Sequence, residues 1–167
     1  MPFRKFLHVP LSICLMLNLA AASNAADPQY LPGKVVRVVD GDTVVLDVGG
    51  GRHRIRLAAI DAPERNQPWG QFATRELRRQ VAGQPIVVEW NKRDRWKRLI
   101  GIVRLNGEDM NLHMVERSLA WHFKRYADEQ SPAARDAYSA AEKVAQSARR
   151  GLWSDPAPIP PWEWRKR

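Results

Sequence analysis

The sequence predicts an α+β fold: a β-barrel with helices, in which five strands close on themselves, one helix follows the third strand and two more lie towards the C-terminus. Three observations point there. Runs rich in β-branched residues recur between turn signals at 34–39, 43–48, 52–57, 85–90 and 99–105. Apolar residues return at helical spacing after the third of those runs and twice more after the fifth. Helix start and stop residues stand where the periodic stretches begin and end.

The first strand is Lys34-Val35-Val36-Arg37-Val38-Val39 and the second Thr43-Val44-Val45-Leu46-Asp47-Val48. Asp40-Gly41 between them is a strong hairpin signal, so a purely structural turn accounts for it. Were residues 40 and 42 both extended, their carboxylates would lie on one face about 7 Å apart. Gly49-Gly50-Gly51 turns the chain into the third strand, 52–57, whose arginines alternate onto one face. Pro63 keeps Ala62 extended and helps end the strand region. Phe72, Ala73, Leu77 and Val81 mark a helix from about Gly70, stopped by Gly83. The fourth strand, Pro85 to Trp90, leads through the basic stretch Asn91–Arg98 into the fifth, Leu99 to Leu105, and Asn106-Gly107 turns the chain again. Asp109 caps a short helix over 110–119. Ser131 and Pro132 open a last helix to about Arg149, which Gly151 ends. Five short strands close only with strong twist and an inserted helix, so an oligonucleotide-binding (OB) barrel is the natural arrangement.

The length of 167 residues suits one core. Residues 1–25 are expected to lie outside it. Arg4 and Lys5 precede an apolar run from Leu11 to Ala22, and Ser23-Asn24-Ala25 has the small-x-small pattern of a signal-peptidase site. Cleavage after Ala25 would remove Cys14, the one cysteine, leaving a chain that needs no disulfide. The expected organisation is a signal peptide over 1–25, a mature N-terminal segment over 26–32, the barrel domain over 33–154 and a Pro/Trp/basic tail over 155–167. The tail is expected to pack loosely. The location that follows is secreted or periplasmic.

The formal charge of +9 falls to +7 without Arg4 and Lys5, which suits a polyanion such as DNA or RNA. A basic face docking on an acidic membrane would want a sustained basic amphipathic helix, and the sequence has none. His113 has no second His or Cys at ligand spacing, so it reads as a packing or surface residue and zinc is disfavoured.

The chemistry concentrates in Asp40-Gly41-Asp42-Thr43 and in Arg56-Leu57-Ala58-Ala59-Ile60-Asp61-Ala62-Pro63-Glu64. Acidic groups held close repel one another unless a cation or an arginine sits between them. A hard divalent ion with oxygen ligands would settle such a cluster, leaving Arg56 to meet an anionic substrate. Metal-dependent phosphodiester chemistry is the working hypothesis. Each group also has a plainer use: Asp40 and Asp42 as turn formers, Arg56 as an ion-pair partner of Asp61 or Glu64, Arg98 as a solvated charge, Trp96 and Tyr126 as packing residues.

From about Lys34 to Trp153 the chain resembles the staphylococcal (thermonuclease-type) nucleases. Four motifs carry the resemblance in order: Asp40-Gly41-Asp42-Thr43; Arg56-Leu57 leading to Ile60-Asp61-Ala62-Pro63-Glu64; Asp94-Arg95-Trp96-Lys97-Arg98; and Gly151-Leu152-Trp153-Ser154. The resemblance implies a calcium ion (Ca2+) held directly by Asp42, Asp61 and the backbone carbonyl of Ala62, with Asp40 in the outer shell. It implies Glu64 as general base, Arg56 and Arg98 as phosphate-binding arginines, and fragments ending in 3′-phosphate from DNA or RNA. Arg95, Trp96, Lys97, Lys124 and Tyr126 are the expected substrate contacts, on a monomer without a stable protein partner that prefers single strands. Lys97 stands where a glycine commonly precedes the second arginine, Trp96 replaces a tyrosine, and Lys124 takes the place of another. The alternative function is a non-catalytic OB module that grips single-stranded nucleic acid through basic and aromatic side chains.

Overall fold

The computed structural model describes residues 27–167, so the expected signal peptide and Cys14 lie outside the described residues. The elements in chain order are β1 (Gln29–Val38), β2 (Thr43–Asp47), β3 (Arg52–Leu57), β4 (Ile60–Asp61), α1 (Gly70–Val81), β5 (Pro85–Arg93), β6 (Leu99–Leu105), β7 (Glu108–Asp109), α2 (Met110–Glu116), β8 (Trp121–His122), α3 (Pro132–Ser147) and α4 (Pro161–Trp164). Short 3₁₀ turns cover Lys124–Glu129 and Gly151–Ser154. The main sheet runs β3-β2-β1-β5-β6-β7, and a parallel pairing of β3 with β6 closes it. Strands β1, β2, β3, β5 and β6 therefore form a closed five-stranded barrel, the OB-type α+β domain expected from the alternating runs.

Two strands are longer than their local signals. β1 begins at Gln29 and pairs Gln29–Lys34 antiparallel with Trp90–Pro85, which brings most of the segment 26–32 into the sheet. Pro32 and Gly33 hide that extension, because proline and glycine within a run weaken a strand reading. β5 likewise continues to Arg93. The helix α2, by contrast, ends at Glu116, three residues short of the expected stop.

The barrel interior is filled by Val35, Val44, Leu46, Ile55, Leu57, Val88, Leu99 and Val103, all nearly inaccessible. α1 lays Ala73, Leu77 and Val81 on this core, and α2 adds Met114 and Val115. Buried Asn111 joins the layers: its Oδ1 accepts the Val103 N–H at 3.1 Å, and its Nδ2 donates to the carbonyls of Ala58 and Gly101 at 3.0 Å each. Those bonds fix the chain just after β3. β4 and β8 form a separate two-stranded pair, Ile60 opposite His122 and Asp61 opposite Trp121, which holds Asp61 at the barrel mouth.

Glu76 on α1 collects the Arg79 guanidinium at 2.7 Å, His113 at 2.9 Å and Gln80 at 2.9 Å. Burial alone would raise its carboxyl, but these bonds outweigh burial and hold it down at about 2. A carboxyl lowered by folding stabilises the folded state above its unfolded value, and that contribution disappears as pH falls from there through about 2. Urea denaturation of wild type and Glu76→Gln should therefore differ most near pH 6, with the gap closing towards pH 3. A gap independent of pH would contradict this assignment.

Candidate active site

Asp42 closes the β1–β2 turn. This turn is not extended: Asp40 Oδ1 accepts the Asp42 N–H at 3.1 Å, and Val39 N–H donates to Thr43 O at 2.8 Å. The two aspartates thus sit on a tight bend rather than along one strand face. Gly41 is required by close approach, since a Cβ there would stand 2.7 Å from the Cβ atoms of both Ala62 and Ala73. That contact presses the turn against the segment after β4, where the Ala62 N–H donates to Asp42 Oδ2 at 2.8 Å.

Arg56, the penultimate residue of β3, binds the two parts together. Its Nη1 donates to the carbonyls of Leu57 and Ile60 at 2.7 and 2.9 Å. Its Nη2 reaches Asp61 Oδ1 at 2.7 Å and Asp42 Oδ2 at 3.2 Å. The β3–β4 turn wraps its carbonyls around the guanidinium, with Ala59 in the left-handed region (φ 64°). The structural ion-pair use of Arg56 is therefore real, and it is made with the same acids expected to hold a metal.

Glu64 follows Pro63 on the loop to α1. Its N–H donates to buried Gln67 Oε1 at 3.0 Å, and its carbonyl lies so near Gly70 that a Cβ there would stand 1.8 Å away. The loop is thereby pinned to the start of α1, with the Glu64 carboxylate turned to the surface. Sequence reasoning did not single out Gln67, which has no chemistry of its own and acts by holding its neighbours in place.

The larger departure is the tail. Residues 155–167 do not pack loosely: Pro161 is buried, Trp162 lies against Phe123 and Trp121 with ring centroids 5.4 and 6.4 Å apart, and Gln67 Nε2 donates to Ile159 O at 2.6 Å. This docking carries Arg165 into the acidic cluster. Its Nη2 meets Asp61 Oδ2 and its Nη1 meets Glu64 Oε1, both at 2.7 Å. Local sequence could not reveal this, because partners about a hundred residues apart leave no periodic trace. The available signal was the excess of acids over arginines in the motifs.

Asp42 and Asp61 share the Arg56 guanidinium, Asp61 and Glu64 share that of Arg165, and Asp40 lies behind Asp42, so the acids outnumber the arginines four to two. Burial, then the neighbouring Asp42, push the Asp40 carboxyl up to about 6. Burial also raises Asp61 above the ordinary carboxylate range, although Arg165 and Arg56 oppose it. Both shifts describe a site short of positive charge. Among the described residues no three Asp, Glu, His or Cys side chains form a ready metal cage. The donor set nonetheless fits a hard ion: two buried carboxylates, Asp42 and Asp61, bridged by one guanidinium, with a second cationic group already against Asp61.

The remaining expected residues lie on neighbouring loops. Arg98 immediately precedes Leu99, whose parallel register partner is Ile55, and Arg56 itself pairs with Ile100. Asp94 accepts the Arg98 Nε at 2.7 Å, and the Arg98 guanidinium lies 5.1 Å from the Trp96 ring centre. Lys97 has φ 63°, the left-handed conformation that glycine adopts without strain, which explains why glycine suits that position. Arg95 stacks over exposed Trp96 at 4.1 Å. Tyr126 is exposed, with Lys92 4.8 Å above its ring. Lys124, an exposed side chain, pairs with the buried carboxylate of Glu142. Trp121 belongs to the core, and His113 is a partner of Glu76.

Comparison with known proteins places the chain in a nuclease family. The family model for staphylococcal nuclease homologues matches residues 54–155. An uncharacterized endonuclease of Escherichia coli O157:H7 is 39% identical over 136 residues, covering 81% of this chain and 85% of its own. A protein called micrococcal nuclease from Shigella flexneri is 36% identical over 143 residues, covering 80% of each. Staphylococcal-like nuclease CAN1 of Arabidopsis thaliana is 37% identical over 115 residues, covering 69% of this chain and 34% of its own.

Because Gly41 lets the turn reach Ala62, Gly41→Ala should force the two segments apart and destabilise the fold by about 1–3 kcal/mol. Urea denaturation measures this directly, and wild-type stability in the variant would contradict the close approach.

Proposed function

The chain belongs to the staphylococcal nuclease family, and on that basis we propose that it cuts DNA or RNA at the cluster of Asp42, Asp61, Arg56 and Glu64 in a calcium-dependent reaction. It is a hydrolytic nuclease; the metal, the residue roles and the place of action are the parts proposed. One observation carries the reading. A β1–β2 turn, the end of β3, β4 and the following loop bring these four side chains to one side of the barrel mouth, linked through Arg56 and Arg165.

Asp42, Asp61 and the Ala62 carbonyl would hold the ion, with Asp40 behind them. Bound there, calcium supplies positive charge to the phosphate oxygens as negative charge develops on them. Glu64 takes the proton from the attacking water, for which its carboxylate must be ionised and within hydrogen-bond reach. Water adds to phosphorus, the bond to the 5′ oxygen breaks, and the leaving oxygen takes up a proton from solvent water while Glu64 returns its own to solvent, giving a 3′-phosphate and a 5′-hydroxyl. Arg56 is aimed by its bonds to Leu57 O and Ile60 O, and it meets a phosphate through its uncommitted Nε–H and, once an ion draws Asp42 and Asp61 away, through Nη2. Arg98 approaches from the β5–β6 turn, and Arg95, Trp96 and Tyr126 offer cationic and stacking surfaces to the flanking nucleotides. Arginine suits these positions because its planar guanidinium is permanently charged and bidentate. The N-terminal segment and the cysteine-free remainder support export to the periplasm or beyond.

Digestion of a labelled single-stranded oligonucleotide across a series of metals tests the proposal. Cleavage should stop with chelator and return with calcium. Glu64→Gln should keep oligonucleotide binding while turnover falls by roughly 10²–10⁴. Arg56→Ala should slow the reaction by about 10²–10³, the scale of losing one donor to a developing oxyanion. Binding with no cleavage under any metal would favour the non-catalytic OB module, and full activity in Glu64→Gln would remove that residue from the mechanism.

A further inference from the structure

We propose that Arg165 controls the metal site: its guanidinium occupies the Asp61 carboxylate that a divalent cation needs, so the C-terminal strap and the ion compete for Asp61, and the strap sets the affinity for metal. This inference rests on the calcium reading above.

The geometry is direct. Asp61 gives Oδ2 to Arg165 Nη2 at 2.7 Å and shares Oδ1 between Arg56 at 2.7 Å and Arg165 Nη1 at 3.3 Å. With the strap docked, both oxygens of this buried carboxylate face guanidinium groups, and an ion needs one of them. Arg165 Nη1 also holds Glu64 Oε1, so the same side chain occupies the group that must accept the proton of water. One movement of Arg165 therefore frees a metal ligand and the base together.

The strap is built to dock and to leave. α4 is a single turn, Pro161–Trp164, too short to persist as an isolated helix. It is held by Trp162 on Phe123 and Trp121, by Ile159 O on Gln67, and by a long 3.4 Å bond from Trp164 Nε1 to Asn66. Trp162 is anchored on the Phe123 and Trp121 rings and not through the carboxylates, so Arg165 can swing away while the strap stays attached. The Arg165 side chain remains 45% exposed and solvent can receive it. A ligand that binds only the open form has its apparent affinity reduced by the fraction open. A strap docked nine-tenths of the time would weaken calcium binding about tenfold.

Calorimetric titration of calcium chloride into the metal-free protein reads this without reference to catalysis. Arg165→Ala should bind calcium about tenfold more tightly than wild type, Arg165→Lys should fall between them, and Arg167→Ala, which removes the same charge from the same strap, should match wild type. Hydrogen exchange at the amides of 164–167 should quicken when calcium is added to wild type and be fast throughout in Arg165→Ala. Equal or weaker affinity in Arg165→Ala, or an equal gain in Arg167→Ala, overturns the inference while leaving the calcium site standing. Absence of calcium binding in both wild type and Arg165→Ala overturns the calcium reading and this inference with it.

Discussion

One guanidinium holds the mouth of this barrel together. Arg56 spans the ends of β2, β3 and β4 by giving its Nη1 to two backbone carbonyls and its Nη2 to two carboxylates. Buried carboxylates at such spacing would repel each other and resist ionisation. The arginine makes their proximity tolerable, and its bonds to Leu57 and Ile60 stop it from turning outward to solvent. Everything else near the site supports that pairing: Gly41 lets the turn close on Ala62, the β4–β8 pair carries Asp61, and Asn111 fixes the chain as it leaves β3.

The balance of charge then explains both the chemistry and the tail. Four carboxylates gathered near Arg56 and Arg165 outnumber the guanidiniums two to one, and such a site attracts cations. Arg165 is the cation the chain itself supplies, brought from the far end of the sequence by a short strap of tryptophans and prolines. A divalent ion is the other candidate for the same place. A phosphate approaching this cluster meets repulsion from the acids that Arg56 and Arg165 leave uncompensated.

Much of this was legible in the sequence, for identifiable reasons. The barrel strands announce themselves through β-branched runs bounded by Asp-Gly, Gly-Gly and Asn-Gly, and the helices through caps such as Asp109 and Ser131, both of which accept backbone N–H groups as expected. The grouping of Asp42, Arg56 and Asp61 followed from motifs lying at strand ends. Features made by distant contacts were not legible. The extension of β1 to Gln29 was masked by Pro32-Gly33, the two-residue pairing of β4 with β8 is too short to leave a pattern, and the engagement of Lys124 by Glu142 depends on how α3 packs. The tail was misjudged because its composition resembles a loose linker. Its docking comes from tertiary contacts, with Pro161 buried and Arg165 paired across the molecule.

The central claim is that Asp42 and Asp61 share one hard cation beside Arg56 and Glu64. Crystals grown with calcium and a short non-cleavable oligonucleotide test it most directly. The account predicts an ion about 2.3–2.6 Å from oxygens of both aspartates, with Arg165 withdrawn from Asp61 and a phosphate against Arg56. An ion bound elsewhere, with the Arg165–Asp61 pair intact and the phosphate remote from Arg56, would contradict it.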